Sequence, residues 1–365
     1  MNRDSQFRVM IMAGGTGGHV FPALAVVEEL RKYNVLISWL GTRSGIESEV
    51  VPKHEIPLHF INVEGVRGRG IVALLKAPIL LLRSIFQALA VLTKSRPQVV
   101  LGMGGFASGP GAMAAWLKRI PVVIHEQNSV AGTTNRICAL FAKRVLQGFP
   151  DTLPRGEWCG NPVRHEISML PPPRQRFETH SGNLRILVLG GSRGALALNT
   201  LIPKTLGQIE SKLRPQVLHQ TGRDHFELTR NLYLDEHLDL SQSTINIVPF
   251  IDKMEKAYGW ADFVVCRAGA LTVSEITVAG IGALLVPFPF AIDDHQTSNA
   301  QVLVDHGAAK LIQQAELTPE NLSNILISLS DDKVLRLQMA ENARSISKVG
   351  AADRVAKACK EVIYG

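Results

Sequence analysis

Short apolar runs alternate with longer stretches of helical spacing along nearly the whole chain. The runs Val9–Ala13, Val35–Leu40, Val99–Leu101, Val122–Ile124, Arg185–Leu189, Val217–His219, Ile245–Val248, Phe263–Cys266 and Leu284–Pro287 predict strands. Most are apolar throughout rather than alternating, as strands covered on both faces are. With helices between them, the pattern predicts doubly wound α/β architecture with parallel sheets. It pauses between Phe149 and Asn183, where Pro150, Pro154, Pro162 and Pro171–Pro173 interrupt any periodicity. That stretch reads as an interdomain region, and two similar α/β halves are expected around it.

Both halves open alike. Val9–Ala13 runs into Gly14-Gly15-Thr16-Gly17-Gly18-His19, and Leu184–Leu189 into Gly190-Gly191-Ser192-Arg193-Gly194-Ala195. Helical spacing follows each. Glycines in a strand-to-helix turn allow a ligand close to the backbone, and the helix start favours an anion. Tight packing alone would also explain them. A dinucleotide fingerprint is excluded: its third glycine would fall at Val20, and no acidic residue ends the second strand at Leu40-Gly41-Thr42-Arg43. The Gly-Lys-Ser/Thr ending of a P-loop is absent too. A third cluster, Gly102–Pro110, follows another strand and reads as a substrate-facing loop.

Near the C-terminus, Arg267–Glu275 forms one more strand–loop–helix unit, whose helix start suits a diphosphate. Glu275 fits two readings: a carboxylate accepting from ribose hydroxyls, or a helix-start charge stabilised by the dipole. The pair Asp293-Asp294 beside His295 lacks a further ligand at fixed spacing, so no metal is expected. Gln296 and Asn299 suit sugar hydroxyls.

Composition narrows the partners. The 365 residues carry a net charge of +7, with 46% hydrophobic and 19% charged residues. That permits a large core and points to an anionic partner: nucleic acid, an acidic membrane surface or a phosphorylated ligand. The four cysteines, Cys138, Cys159, Cys266 and Cys359, form no CxxC pair, and reduced thiols in a cytosolic protein are expected. Met1–Arg8 does not read as a secretory signal. Ile71–Leu92 is apolar, but Lys76, Pro78, Arg83 and Gln87 interrupt it and argue against a membrane span.

Together, Gly14–His19, Gly102–Pro110, His125-Glu126-Gln127-Asn128, Gly160-Asn161-Pro162-Val163-Arg164 and Cys266–Glu275 resemble the MurG family of bacterial peptidoglycan N-acetylglucosaminyltransferases. The resemblance runs from about Val9 to the C-terminus. It implies a GT-B fold: two Rossmann-like domains with the active site in the cleft between them. It also implies that the last helix returns to the N-terminal domain. The expected domains are therefore 1–163 with the helix 348–365, on the acceptor and membrane side, and 164–347, binding the donor. The family's contacts to UDP-N-acetylglucosamine fall on Thr16, Gly17, Gly18, Asn128, Arg164, Ser192, Ile251, Ala270, Leu271, Thr272, Val273, Ser274, Glu275 and Gln296. Glu275 is thereby assigned to ribose and Gln296 to the sugar.

The implied reaction is an inverting transfer to the C4 hydroxyl of lipid I, a polyprenyl-linked acceptor, giving lipid II without a cofactor. Helix starts and Arg164 would neutralise the departing diphosphate. Two residues are candidates for the general base, His19 and Glu126. Between Gly65 and Pro150, Glu126 is the sole acidic residue in a basic stretch.

Acid-free Arg67–Arg119 also bears on the membrane. Lys76, Arg83, Gln87 and Lys94 share one helical face, and leucines, isoleucine and phenylalanine occupy the rest. This is either a core helix with a basic stripe or an amphipathic helix lying on an anionic leaflet. The lipid-linked acceptor favours the second, with a peripheral location on the cytoplasmic face of the bacterial inner membrane. A UDP-sugar epimerase of the same fold is the rival enzyme. A nucleic-acid module is disfavoured, since Phe86, Phe106 and Trp116 are scattered rather than arrayed for stacking.

Overall fold

The computed structural model describes residues 6–63, 70–191, 194–241 and 244–364, with the backbone alone over 70–76 and at 292. The chain divides into two compact units: 1–164 with 350–365, and 165–349.

The first unit holds a parallel sheet. Its strands are β1 Phe7–Met12, β2 Val35–Gly41, β3 Leu58–Phe60, β4 Val99–Gly102, β5 Val122–Glu126, β6 Arg144–Gln147 and β7 Glu157–Trp158, in the order β3-β2-β1-β4-β5-β6-β7. Val9, Ile11, Val99 and Leu101 are fully buried, as strands covered on both faces require. On one face Val20, Leu24, Val27 and Leu30 of the helix Gly17–Leu30 pack with Val355, Ala356, Ala358 and Cys359 of the helix Ala351–Tyr364. An ion-pair network anchors this last helix. Arg144 bonds Glu157 (2.7 Å) and Glu361 (2.8 Å), and Arg354 bonds the same two carboxylates.

The second unit holds β8 Arg185–Leu189, β9 Gln216–Gln220, β10 Ile245–Val248, β11 Phe263–Cys266, β12 Gly282–Leu285 and β13 Ala309–Leu311, in the order β10-β9-β8-β11-β12-β13 and also parallel. Leu187, Val188, Val264, Val265 and Leu284 are fully buried in its sheet.

In both orders the winding reverses beside the first strand of the unit. The reversal lies between β1 and β4 in one sheet and between β8 and β11 in the other. Ligands of open α/β sheets bind beyond the carboxyl ends of the strands at such switch points. Gly14–His19 follows β1 and Gly102–Pro110 follows β4; Gly190–Ala195 follows β8 and Arg267–Glu275 follows β11. All four candidate loops therefore border a switch point of their own unit.

The helix Gly70–Ser95 departs from a core helix. Among its described side chains only the seam Ser84, Ala88 and Leu92 is fully buried, while Ile79 is 69% and Phe86 68% exposed, with Leu80, Leu81 and Leu82 also exposed. Gln87 does not join the basic stripe, because its Oε1 accepts from Asn62 N–H at 2.7 Å. Lys76 lies outside the described side chains.

Candidate functional site

In the first unit the loops after β1 and β4 touch. Gly105, at φ +84°, lies so close that any side chain there would collide with the Gly14 carbonyl. Gly104, at φ +93°, lies under the His19 ring: a β-carbon there would stand 2.7 Å from Cδ2 and 2.9 Å from Nε2. His19 is thus held at the junction of the two loops, with Nδ1 3.5 Å from the Thr16 hydroxyl. Thr16 is exposed, and Gly17, Gly18 and His19 are half-buried. Arg164 reaches this loop as well. Its guanidinium lies over the Phe21 ring, 5.5 Å from the centroid, and Phe21 packs beneath Gly17.

A residue without a signal in the motifs organises this loop. Glu47 is 0% exposed; its Oε2 accepts from Gly15 N–H at 2.9 Å, and its Oε1 from the Thr42 N–H and hydroxyl, both at 2.8 Å. The Gly15 amide is therefore already bonded to a carboxylate. That bond takes the Gly15 amide out of the set open to a bound anion. Only the fold links Glu47 to Gly15, 32 residues away in sequence.

The His125–Asn128 and Gly160–Arg164 motifs interlock. His125 Nε2 is 2.9 Å from the Gly160 carbonyl, and Asn161 Nδ2 donates to the Gln127 carbonyl at 2.9 Å. Because Nε2 must carry the proton, His125 Nδ1 accepts from Gln127 Nε2 (3.2 Å). Complete burial pushes the His125 pKa down to about 4, so the ring is neutral. Glu126 is 2% exposed, and both its oxygens are engaged. Oε1 accepts from the Asn128 amide N–H (2.9 Å) and side chain (3.3 Å); Oε2 accepts from Gly132 N–H (3.1 Å) and Asn135 Nδ2 (2.8 Å). Both oxygens are thus taken up by donors of the residues that follow it, Asn128, Gly132 and Asn135. Glu126 orders the turn that presents Asn128.

In the second unit, Ser192 and Arg193 lie outside the described residues. The rest of the Gly190–Ala195 loop is bound to its neighbours. Gly194, at φ +77°, abuts the Thr221 carbonyl so closely that a side chain would collide with it. The Gln220 side chain bridges the loop to Ile251: Nε2 donates to the Gly191 carbonyl (3.1 Å), and Oε1 accepts from Ile251 N–H (3.0 Å). The N-cap of the helix Ala270–Ala279 is Gly269, which has no side chain of its own to bond the first-turn N–H groups, the groups that suit an outside acceptor. Ser274 and Glu275 are buried, and Glu275 Oε2 is 3.1 Å from the Tyr258 hydroxyl. Gln296 Oε1 accepts from Phe288 N–H (2.9 Å), so the side-chain NH2 is the group it can offer. Asn299, on the same helix as Gln296, donates to the Ala268 carbonyl (3.2 Å) and ties that helix to the loop before Ala270. Gln220 thus ties Ile251 to the Gly190–Ala195 loop, Tyr258 reaches Glu275 and Asn299 ties the Gln296 helix to Ala268, links that the sequence does not announce.

Asp294, by contrast, accepts from the Thr297 hydroxyl (2.7 Å). The four cysteines are free and buried; burial pushes the Cys138 thiol up to about 11 and Cys159 and Cys359 up to about 12. Such thiols are unreactive.

Known proteins resemble this chain nearly from end to end. The glycosyltransferase family 28 N-terminal domain matches residues 9–147 and the family's C-terminal domain matches residues 185–360. A UDP-N-acetylglucosamine--N-acetylmuramyl-(pentapeptide) pyrophosphoryl-undecaprenol N-acetylglucosamine transferase of Nitrosococcus oceani is 50% identical over 361 residues, covering 98% of this chain and 99% of the relative. Its counterpart in Saccharophagus degradans is 49% identical, covering 98% and 92%. The crystal structure of Acinetobacter baumannii MurG superposes with a TM-score of 0.82 at 40% identity, covering 97% of this chain and 99% of that one. A UDP-GlcNAc 2-epimerase from Neisseria meningitidis gives a TM-score of 0.65 over 98% of this chain and 100% of that one, at 13% identity, a likeness of fold alone. With both domains matched and identity near one half from end to end, the chain belongs to glycosyltransferase family 28 and, within it, to the MurG N-acetylglucosaminyltransferases.

Proposed function

We propose that this enzyme transfers N-acetylglucosamine from UDP-N-acetylglucosamine to the C4 hydroxyl of lipid I, with inversion, to form lipid II for the bacterial cell wall. The observation that carries the reading is the end-to-end similarity to transferases of that activity. The second unit binds the donor. The helix start at Ala270–Ser274 takes the diphosphate, Glu275 takes the ribose and Gln296 the sugar; Ser192 and Ile251 belong to the same set. From the first unit, Thr16, Gly17, Gly18, Asn128 and Arg164 add contacts toward the reacting end.

The transition state carries positive charge on the sugar and negative charge on the departing diphosphate. Helix-start N–H groups and the Arg164 guanidinium offset the second. His19 is the general base. Its ring is held at a loop junction, half-buried over Gly104, with Nδ1 3.5 Å from the Thr16 hydroxyl. Glu126 is a positioning residue for Asn128.

The enzyme is peripheral on the cytoplasmic face of the inner membrane. The helix segment Ala77–Ser95 is long and apolar enough to span a bilayer by length and composition. Its buried seam packs in the first unit with Ala112, Ala114 and Ala115 of the helix Ser108–Leu117; Arg83, next to the exposed leucines, and Lys94, in the last turn, are exposed too. Exposed Trp116 and Leu117 on that helix, and Ile137 and Leu140 on and after the helix Thr133–Ala139, are further apolar groups of this unit. Apolar side chains beside cations suit adsorption to an anionic leaflet.

The test is transfer of labelled N-acetylglucosamine from its UDP donor to a lipid I analogue in the presence of vesicles. Transfer that depends on the lipid acceptor is expected. Turnover of UDP-N-acetylglucosamine to an epimer without any acceptor would sink the reading.

A further inference from the structure

Glu275 is buried inside the helix Ala270–Ala279, and a buried carboxylate requires hydrogen-bond donors to stay ionised. The Tyr258 hydroxyl is one, 3.1 Å from Oε2. An ionised carboxylate only accepts, so Tyr258 donates. Tyr258 is fully buried in the helix Met254–Trp260. One guanidinium sets the two helices against each other. Arg176 Nη1 donates to the Tyr258 carbonyl (3.1 Å), and Nη2 donates to the Ala279 carbonyl (2.7 Å) and to that of Gly280. Hydroxyl and carboxylate are therefore held in register by a bond outside the pair.

We propose that Tyr258 is a positioning residue for donor recognition, orienting the Glu275 carboxylate so that it accepts from the ribose hydroxyls of the uridine nucleotide. The proposal rests on the reading of Glu275 as the ribose contact. The terminal torsion of a glutamate is broad and two-fold. A pair of vicinal hydroxyls is served well by only part of that range. A charge-assisted hydrogen bond at one oxygen narrows it before the nucleotide arrives.

The test measures binding of UDP, 2′-deoxy-UDP and 3′-deoxy-UDP to the full-length enzyme, wild type, Tyr258→Phe and Glu275→Gln. Wild type is expected to prefer UDP by roughly tenfold, the size of one hydrogen bond to a charged group. In Tyr258→Phe, UDP affinity falls about five- to tenfold while the deoxy nucleotides change less than about twofold, so the preference collapses. Donor KM rises by a like factor, with kcat close to wild type. Unchanged deoxy-nucleotide binding reports an intact fold, which a merely structural role for the hydroxyl would not leave with lost ribose discrimination. Equal weakening of all three nucleotides, or full discrimination retained in Tyr258→Phe while Glu275→Gln has lost it, would overturn the proposal and leave Glu275 as the ribose contact. Wild-type discrimination in Glu275→Gln would remove the ribose reading itself, and the proposal with it.

Discussion

Glu126 and His19 are the two candidates for the general base on sequence grounds, and their surroundings differ. Four N–H groups converge on the Glu126 carboxylate. His19 stands over Gly104, where the missing β-carbon leaves room for the ring. Replacing His19 with alanine is expected to lower kcat by about 10²–10⁴, the range of general acid–base catalysis, with donor affinity nearly intact. Glu126→Gln turns an NH2 group toward existing N–H donors. It should raise donor KM through Asn128 and cost about 1–3 kcal/mol of stability, the penalty for unsatisfied buried groups. Steady-state kinetics with thermal unfolding separates the two. Near-normal turnover in both variants would refute a base among them. At this scale the sequence was legible where a residue stood inside a recognisable motif. It was silent on Glu47, Gln220 and Tyr258, because each acts across the fold: 32 residues to Gly15, 31 to Ile251 and 17 to Glu275.

At the scale of elements, the expected strands occur within about two residues of their observed ends; the largest shift is Leu284–Pro287, observed as Gly282–Leu285. The unanticipated strands are short: Leu58–Phe60, Arg144–Gln147, Glu157–Trp158 and Ala309–Leu311. Two to four residues carry too little apolar pattern to stand out, and neighbours in the sheet recruit them instead. The helix Gly70–Ser95 was legible in extent but not in exposure. Periodicity describes which residues share a face, not what covers that face. With Ile79, Leu80, Leu81, Leu82 and Phe86 exposed along with Arg83 and Lys94, charge reversal of both cations is expected to weaken binding to vesicles of anionic lipid. Each cation contributes about 1 kcal/mol at such a surface, so the double variant should bind at least about tenfold more weakly, an effect that fades at high salt. Vesicle co-sedimentation at two ionic strengths measures this, and unchanged binding would reject the surface helix.

At the scale of the whole molecule, each unit carries a fully buried neutral histidine, which makes both sensitive to acid. Burial lowers the pKa of His125 to about 4 and of His219 to about 3. His219 Nε2 bonds Asn199 Oδ1 (3.1 Å) and its Nδ1 bonds the Tyr233 hydroxyl (2.9 Å). In the unfolded chain both titrate near 6.5. Between that value and the lowered ones, the unfolded state binds protons that the folded state refuses, so stability present above pH 6.5 is lost as pH falls. The loss is roughly 1.4 kcal/mol per pH unit for each histidine. Urea unfolding at pH 7.5 and pH 5 should show it, and His219→Gln should flatten the dependence. A pH slope unchanged in that variant would contradict the assignment.

The sequence alone determined the α/β class, most strands and the glycine-rich turns, because burial on both faces and backbone freedom leave local signatures. Resemblance added the family, the reaction and the expected contacts. Tertiary structure decided which loops share a switch point, since strand order is a property of the sheet and not of the chain. It also distinguished the two glycine loops. The first has its Gly15 amide bonded to a buried carboxylate, while the second is packed against Thr221 and follows the strand paired with the one that leads to Ala270. Local sequence makes the two look alike; the long-range partners that differ are brought to them only by folding.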